Sequence, residues 1–145
     1  MKQIFLLVGI ISTLFHSCSS SGKAAPTQND IVGTWVSTDN AKFIFNGDGT
    51  FTGNLIPAQF AFFPVDSFRN IKFSGSGKWN LKKGKGVADW EVYVEFNQVD
   101  IRGKNGCAFP LLVGGENGLL KSKPPWYLFV WKGEEGGDRY EFVKK

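Results

Sequence analysis

A chain of 145 residues holds one domain and a tail, which excludes a multidomain machine. Its 17 Lys and Arg against 13 Asp and Glu leave a net charge of +4, too small and too scattered for a nucleic-acid surface. Eighteen glycines beside 14 phenylalanines point to short strands joined by tight turns, and away from helical bundles.

The chain begins with signal-peptide architecture. Lys2 supplies the positive charge, and Ile4 to Phe15 is apolar apart from Gly9, Ser12 and Thr13. That run is shorter than the ~20 residues of a membrane-spanning helix. Polar residues start at His16. Cys18, directly after the run and behind the small Ser17, resembles the lipobox of bacterial lipoproteins. The resemblance implies a signal peptide over residues 1–17, a diacylglycerol on the Cys18 thiol, and the membrane as a partner through that lipid. Ordinary signal cleavage near Ser20, with Cys18 incidental, is the alternative. The expected location is therefore the cell envelope, and Ser19 is not the aspartate that holds lipoproteins in an inner membrane. The outer membrane is favoured where the organism has one, with the domain facing the periplasm or the cell surface. Residues 18–29, rich in Ser, Gly, Ala and Pro, read as a flexible tether, and residues 30–145 as the domain.

From there the elements run as strands. Ile31 to Thr38 is β-branched and aromatic. Ala41 to Asn46 places Phe43 and Phe45 on one face, and Asn46-Gly47-Asp48-Gly49-Thr50 has the chemistry of a tight hairpin turn. Gly75 to Leu81 carries Trp79. Asp89 to Asn97 alternates most clearly, with Trp90, Val92, Val94 and Phe96 against Glu91, Tyr93, Glu95 and Asn97. Glu91 and Glu95 are about 13 Å apart along such a strand, beyond the spacing of a glycosidase pair. Val99 to Arg102 and Ala108 to Val113 read as further strands, with turns at Gly103 to Gly106 and Gly114 to Gly118. Trp126 to Lys132 is apolar on both faces, which predicts cover on both sides. Glu134 to Gly137 turns the chain into a last strand, Asp138 to Lys144. The pattern is all-β: a single antiparallel up-and-down barrel or a closely related sandwich of eight or nine short strands.

With the strands placed, Gly33-Thr34-Trp35 is similar to the G-x-W signature that opens lipocalins. Joined to the hairpin at Asn46 to Phe51 and to Gly75-Ser76-Gly77-Lys78-Trp79, it resembles the small lipocalin-like lipoproteins of bacteria. That resemblance implies a closed or nearly closed barrel, often with an apolar cavity, and no catalytic residues. It also implies that Trp35 packs at the closed end beneath a cation from the last strand. Arg139 is the residue expected there, through a cation–π contact, or else it is a solvated strand residue.

Leu55 to Phe68 places Phe60, Phe62, Phe63 and Phe68 in a connection, where polar residues are the norm. These four are the candidate ligand-binding residues. The segment plugs the barrel, covers an apolar pocket as a lid, or exposes a patch to a protein partner. Only two cysteines occur, and with Cys18 acylated, Cys107 among apolar neighbours reads as a buried, inert thiol.

The only histidine, His16, leaves with the signal peptide, which removes His-dependent triads and zinc sites. No nucleophile elbow, phosphate loop or metal-spaced cluster is present. The expected protein is therefore non-catalytic, with no cofactor, metal or nucleic-acid partner, and monomeric. It is read as a binding module for a small apolar or amphiphilic ligand; the alternative is a protein-interaction lipoprotein such as an immunity or inhibitor protein.

Overall fold

The computed structural model describes residues 24–116, 123–132 and 137–145. The expected signal peptide, Cys18 and the first residues of the expected tether lie outside the described residues, as do the expected turn residues 117–118 and 134–136. A short helix α1 (Gln28–Ile31) precedes β1 (Gly33–Val36), β2 (Lys42–Phe45) and β3 (Thr50–Pro57). A 3-10 turn (Ala58–Phe60) and helix α2 (Val65–Phe68) lead to β4 (Lys72–Lys83). β5 (Trp90–Val99), β6 (Cys107–Glu116), β7 (Lys123–Trp131) and β8 (Arg139–Lys144) follow. Each strand pairs antiparallel with the next, and β8 returns to β1 to close an eight-stranded barrel. This is the up-and-down barrel that the lipocalin-like resemblance implies.

Local chemistry fixes the elements. At the β2–β3 hairpin Asn46 N–H donates to Thr50 O at 2.9 Å, Asp48 accepts from the Thr50 amide and hydroxyl, and Gly49 takes φ +83°. Thr27 and Asp30 form a capping box that starts α1, so Ile31 lies in that helix and β1 begins at Gly33, later than the sequence pattern suggests. Ile31 is fully buried there.

Two further boundaries differ from expectation. Val99 ends β5 and opens no strand of its own. β6 runs on through Gly114 and Gly115, which the sequence assigned to a turn. The reason is space. Gly114 lies opposite Tyr127, and a Cβ on it would sit 2.3 Å from that phenol ring. Gly53 and Gly75 pair across β3 and β4, and the Phe96 ring fills the hollow they leave. Glycines in this chain make room for rings as well as turns.

Those rings fill the middle of the barrel. Phe43 of β2 meets Phe96 of β5 at 6.3 Å and Phe142 of β8 at 5.1 Å between centroids. Phe51 of β3 meets Phe96 at 4.7 Å. Contacts between non-neighbouring strands mean that the walls touch across the lumen, as side chains alone permit at eight strands. The β1–β2 turn and the connections 58–71 and 100–106 share one end, here the cap end. α1 and the β4–β5 hairpin share the opposite end.

β7 is apolar on both faces, and among the described residues no second layer of secondary structure lies over it. Its fully buried outward ring, Phe129, is covered by Tyr127 at 5.7 Å, Trp131 at 5.4 Å and the Arg139 guanidinium at 5.0 Å.

Candidate functional site

The four candidate phenylalanines part company. Phe62 is buried against Phe73 (5.6 Å) and Phe68 (5.4 Å), and Phe60 meets Tyr140 edge-on at 5.0 Å. They close the cap end as a plug. Phe63 points away and is 80% exposed. None of the four lines the pockets described below.

Arg139 does not lie over Trp35. β8 alternates Tyr140, Phe142 and Lys144 on one side, so Arg139 lies on the other, over Phe129 and Trp131 and donating to the Tyr127 hydroxyl at 2.8 Å. Lys144, paired in register with Trp35, supplies the cation instead, with Nζ 5.8 Å from the indole and donating to Asp30 O at 2.7 Å. Gly33, at φ +127°, lets the Lys144 stem pass, since a Cβ there would lie 3.0 Å from Cε. Trp35 is fully buried and donates from Nε1 to Ile31 O at 2.7 Å.

Two clusters that the sequence did not single out lie at opposite ends. At the cap end, Asp39 accepts from Ser37 Oγ (2.5 Å), Lys72 Nζ (2.9 Å) and the Tyr140 hydroxyl. Partial burial acts to raise the Asp39 carboxyl, but these three donors together hold it well below the usual carboxylate range. Burial first, and then the bond to Asp39, pushes the Tyr140 phenol up. An open pocket of about 340 Å³ beside it includes Arg69, Lys132 and Gln59. Its central polar groups are satisfied by one another, so the cluster reads as a clasp between the β1–β2 turn, β4 and β8.

At the other end, an open pocket of about 400 Å³ is walled by Trp90, Val113 and Trp126 of β5, β6 and β7, and by Ala88. Lys83 and Asp89 stand at its rim, and Ala24 to Pro26 run along one side. Trp126 packs where Gly115 lacks a side chain, at an irregularity in the β6–β7 ladder. Its Nε1 is buried and has no hydrogen-bond partner among the described residues, whereas the Trp79 Nε1 donates to Asn46 O at 3.0 Å. A buried donor without an acceptor costs about 1–3 kcal/mol, and such groups mark strain or a place for another molecule.

Cys107 opens β6, half-buried, and burial pushes its thiol up to about 11. Among the described residues no group of His, Cys, Asp and Glu is placed to hold a metal ion. Set against family models, curated proteins and solved structures, the chain matches none of them.

Proposed function

We propose that this is a non-catalytic envelope lipoprotein, anchored through Cys18, whose barrel binds a small amphiphilic ligand at the α1 end. The orphaned Trp126 indole N–H carries the reading. A small turn of the Trp126 ring that opens this N–H to the pocket would let a ligand acceptor supply the hydrogen bond that no described residue makes. Trp90, Val113 and Ala88 offer apolar wall, and Lys83 and Asp89 at the rim favour a polar head. The volume of about 400 Å³ falls within the range of small-molecule sites. Ring contacts across the lumen and the Phe60 and Phe62 plug argue against a site reached from the cap end.

A titration of the folded protein with anilinonaphthalene sulfonate, an amphiphilic anionic dye, tests this. The expected result is saturable one-to-one binding. Gly86→Trp should weaken it about tenfold, or ~1.4 kcal/mol, because Gly86 borders the pocket and a Cβ there meets nothing within 4 Å. Phe63→Asp should leave it unchanged. No saturable binding, or equal binding by the Gly86→Trp variant, overturns the pocket.

One observation favours the protein-partner reading instead. Of six exposed large hydrophobics among the described residues, four (Leu55, Phe63, Val65 and Ile71) fall between residues 55 and 71. A photoreactive residue at position 63 in the membrane-anchored protein should then give one discrete adduct that unlabelled wild type competes away. Competition without effect counts against it.

A further inference from the structure

From the sequence and the α1 end together we infer that the β4–β5 hairpin rests on an anionic lipid surface. The inference takes the Cys18 anchor as its premise and adds an orientation to it. Ala24 lies six positions after Cys18, and six residues of chain reach at most about 21 Å. An acylated Cys18 sits at the bilayer surface, so Ala24 cannot leave that surface by more than this distance. Ala24 to Pro26 wall the same pocket as Lys83, Gly86 and Trp90, so the hairpin travels with the tether. The cap end lies across the length of the barrel from it.

The hairpin has the composition that a charged bilayer surface recognises. Lys83 and Lys85 are exposed and form no ion pair among the described residues, while the neighbouring Lys82 is paired with Glu91 at 3.1 Å. Val87 at the tip is 62% exposed, and Trp90 is half-buried beside it. Lysines over an apolar tip and an indole suit the headgroup region, where charge is attracted from within a Debye length of ~8 Å and the ring sits at the polar boundary. Asp89 and Glu91 are the acids of this hairpin. Glu91 is already neutralised by Lys82, and Asp89 leaves the local balance positive. In this orientation the mouth of the Trp90–Trp126 pocket opens at the membrane, and Phe63 points toward whatever lies beyond it.

The test uses the lipidated full protein on two sets of vesicles, pure phosphatidylcholine and phosphatidylcholine with phosphatidylglycerol. Flotation reports the anchor, and amine acetylation read by mass spectrometry reports each lysine. On anionic vesicles Lys83 and Lys85 should be acetylated about fivefold more slowly than on neutral ones, with the difference erased by high salt. Lys72 and Lys104, at the cap end, should react equally on both. A Lys83→Glu variant should abolish the slowing at Lys85. No flotation removes the anchor and the inference with it. Flotation with equal rates at Lys83 and Lys85 on both vesicles removes the inference and leaves the anchor standing.

Discussion

Phe96→Ala is the perturbation that most strains the filled barrel. The Phe96 ring lies 4.7 Å from Phe51, 5.0 Å from Phe73, 6.1 Å from Phe109 and 6.3 Å from Phe43. It is 2% exposed. It also occupies the hollow of Gly53 and Gly75, where an added Cβ would lie 2.8 and 2.9 Å from ring carbons. Glycines have no side chain to swing into the space, so relaxation is limited to the flanking rings. Removing six ring carbons leaves a void of roughly 100 Å³, about 2.4 kcal/mol at ~24 cal/mol per Å³. The lost transfer energy adds about 2 kcal/mol, which places the cost in the upper half of the 3–5 kcal/mol range for such changes. Urea unfolding followed by near-ultraviolet circular dichroism measures it. Benzene should then stabilise the variant and leave the wild type unaffected, because an apolar void of this kind stays dry and takes such a ligand. A cost below about 1 kcal/mol, or equal stabilisation of the wild type by benzene, refutes a filled lumen. If the alanine variant does not fold, Phe96→Leu should still unfold at lower urea than wild type.

Arg139→Ala should cost about 1 kcal/mol and couple to Trp131→Ala in a double-mutant cycle; additivity removes the outer stack. Lys144→Ala, by contrast, should couple to Trp35. For Asp39 the folded carboxyl lies below its unfolded value, so its contribution is present above about pH 4 and is lost as pH falls through the folded value. Asp39→Asn should therefore destabilise by about 1 kcal/mol at neutral pH, a figure reduced by the partial exposure of the cluster, with the gap to wild type closing at acid pH. A gap that widens on acidification contradicts the assignment. With its thiol near 11, Cys107 should react with a disulfide reagent at pH 8 at least about tenfold more slowly than a free cysteine.

Much of the fold was legible, for reasons tied to period. Two-residue alternation from Trp90 to Phe96 is a property of one strand, and in the structure Val92, Val94 and Phe96 are buried while Tyr93 and Glu95 are not. What one strand cannot reveal is which strand faces it. The glycines show this. Gly53, Gly75 and Gly114 look like turn residues in sequence, and only the register of β3 with β4 and of β6 with β7 shows the rings they accommodate. Arg139 failed for a related reason. The parity of β8 was visible in Tyr140 and Phe142, and it puts Lys144 on their side of the strand, but the choice of partner for Trp35 depends on the closure of β8 on β1. The plug role of Phe60 and Phe62 was among the uses open at the sequence level; the exposure of Phe63 was not separable from it. The Trp90–Trp126 pocket was invisible, because its walls come from three strands and from the tether, and nothing in the local pattern marks an indole without an acceptor.

The indole N–H resonances of a nitrogen-15 labelled sample measure the central claim directly. Trp35 and Trp79 serve as internal references, since their N–H groups are bonded to Ile31 O and Asn46 O. On titration with anilinonaphthalene sulfonate the Trp126 resonance should move saturably, with Trp90 following and Trp35 and Trp79 staying in place. A Trp126 resonance that stays fixed while the dye binds elsewhere would contradict the account.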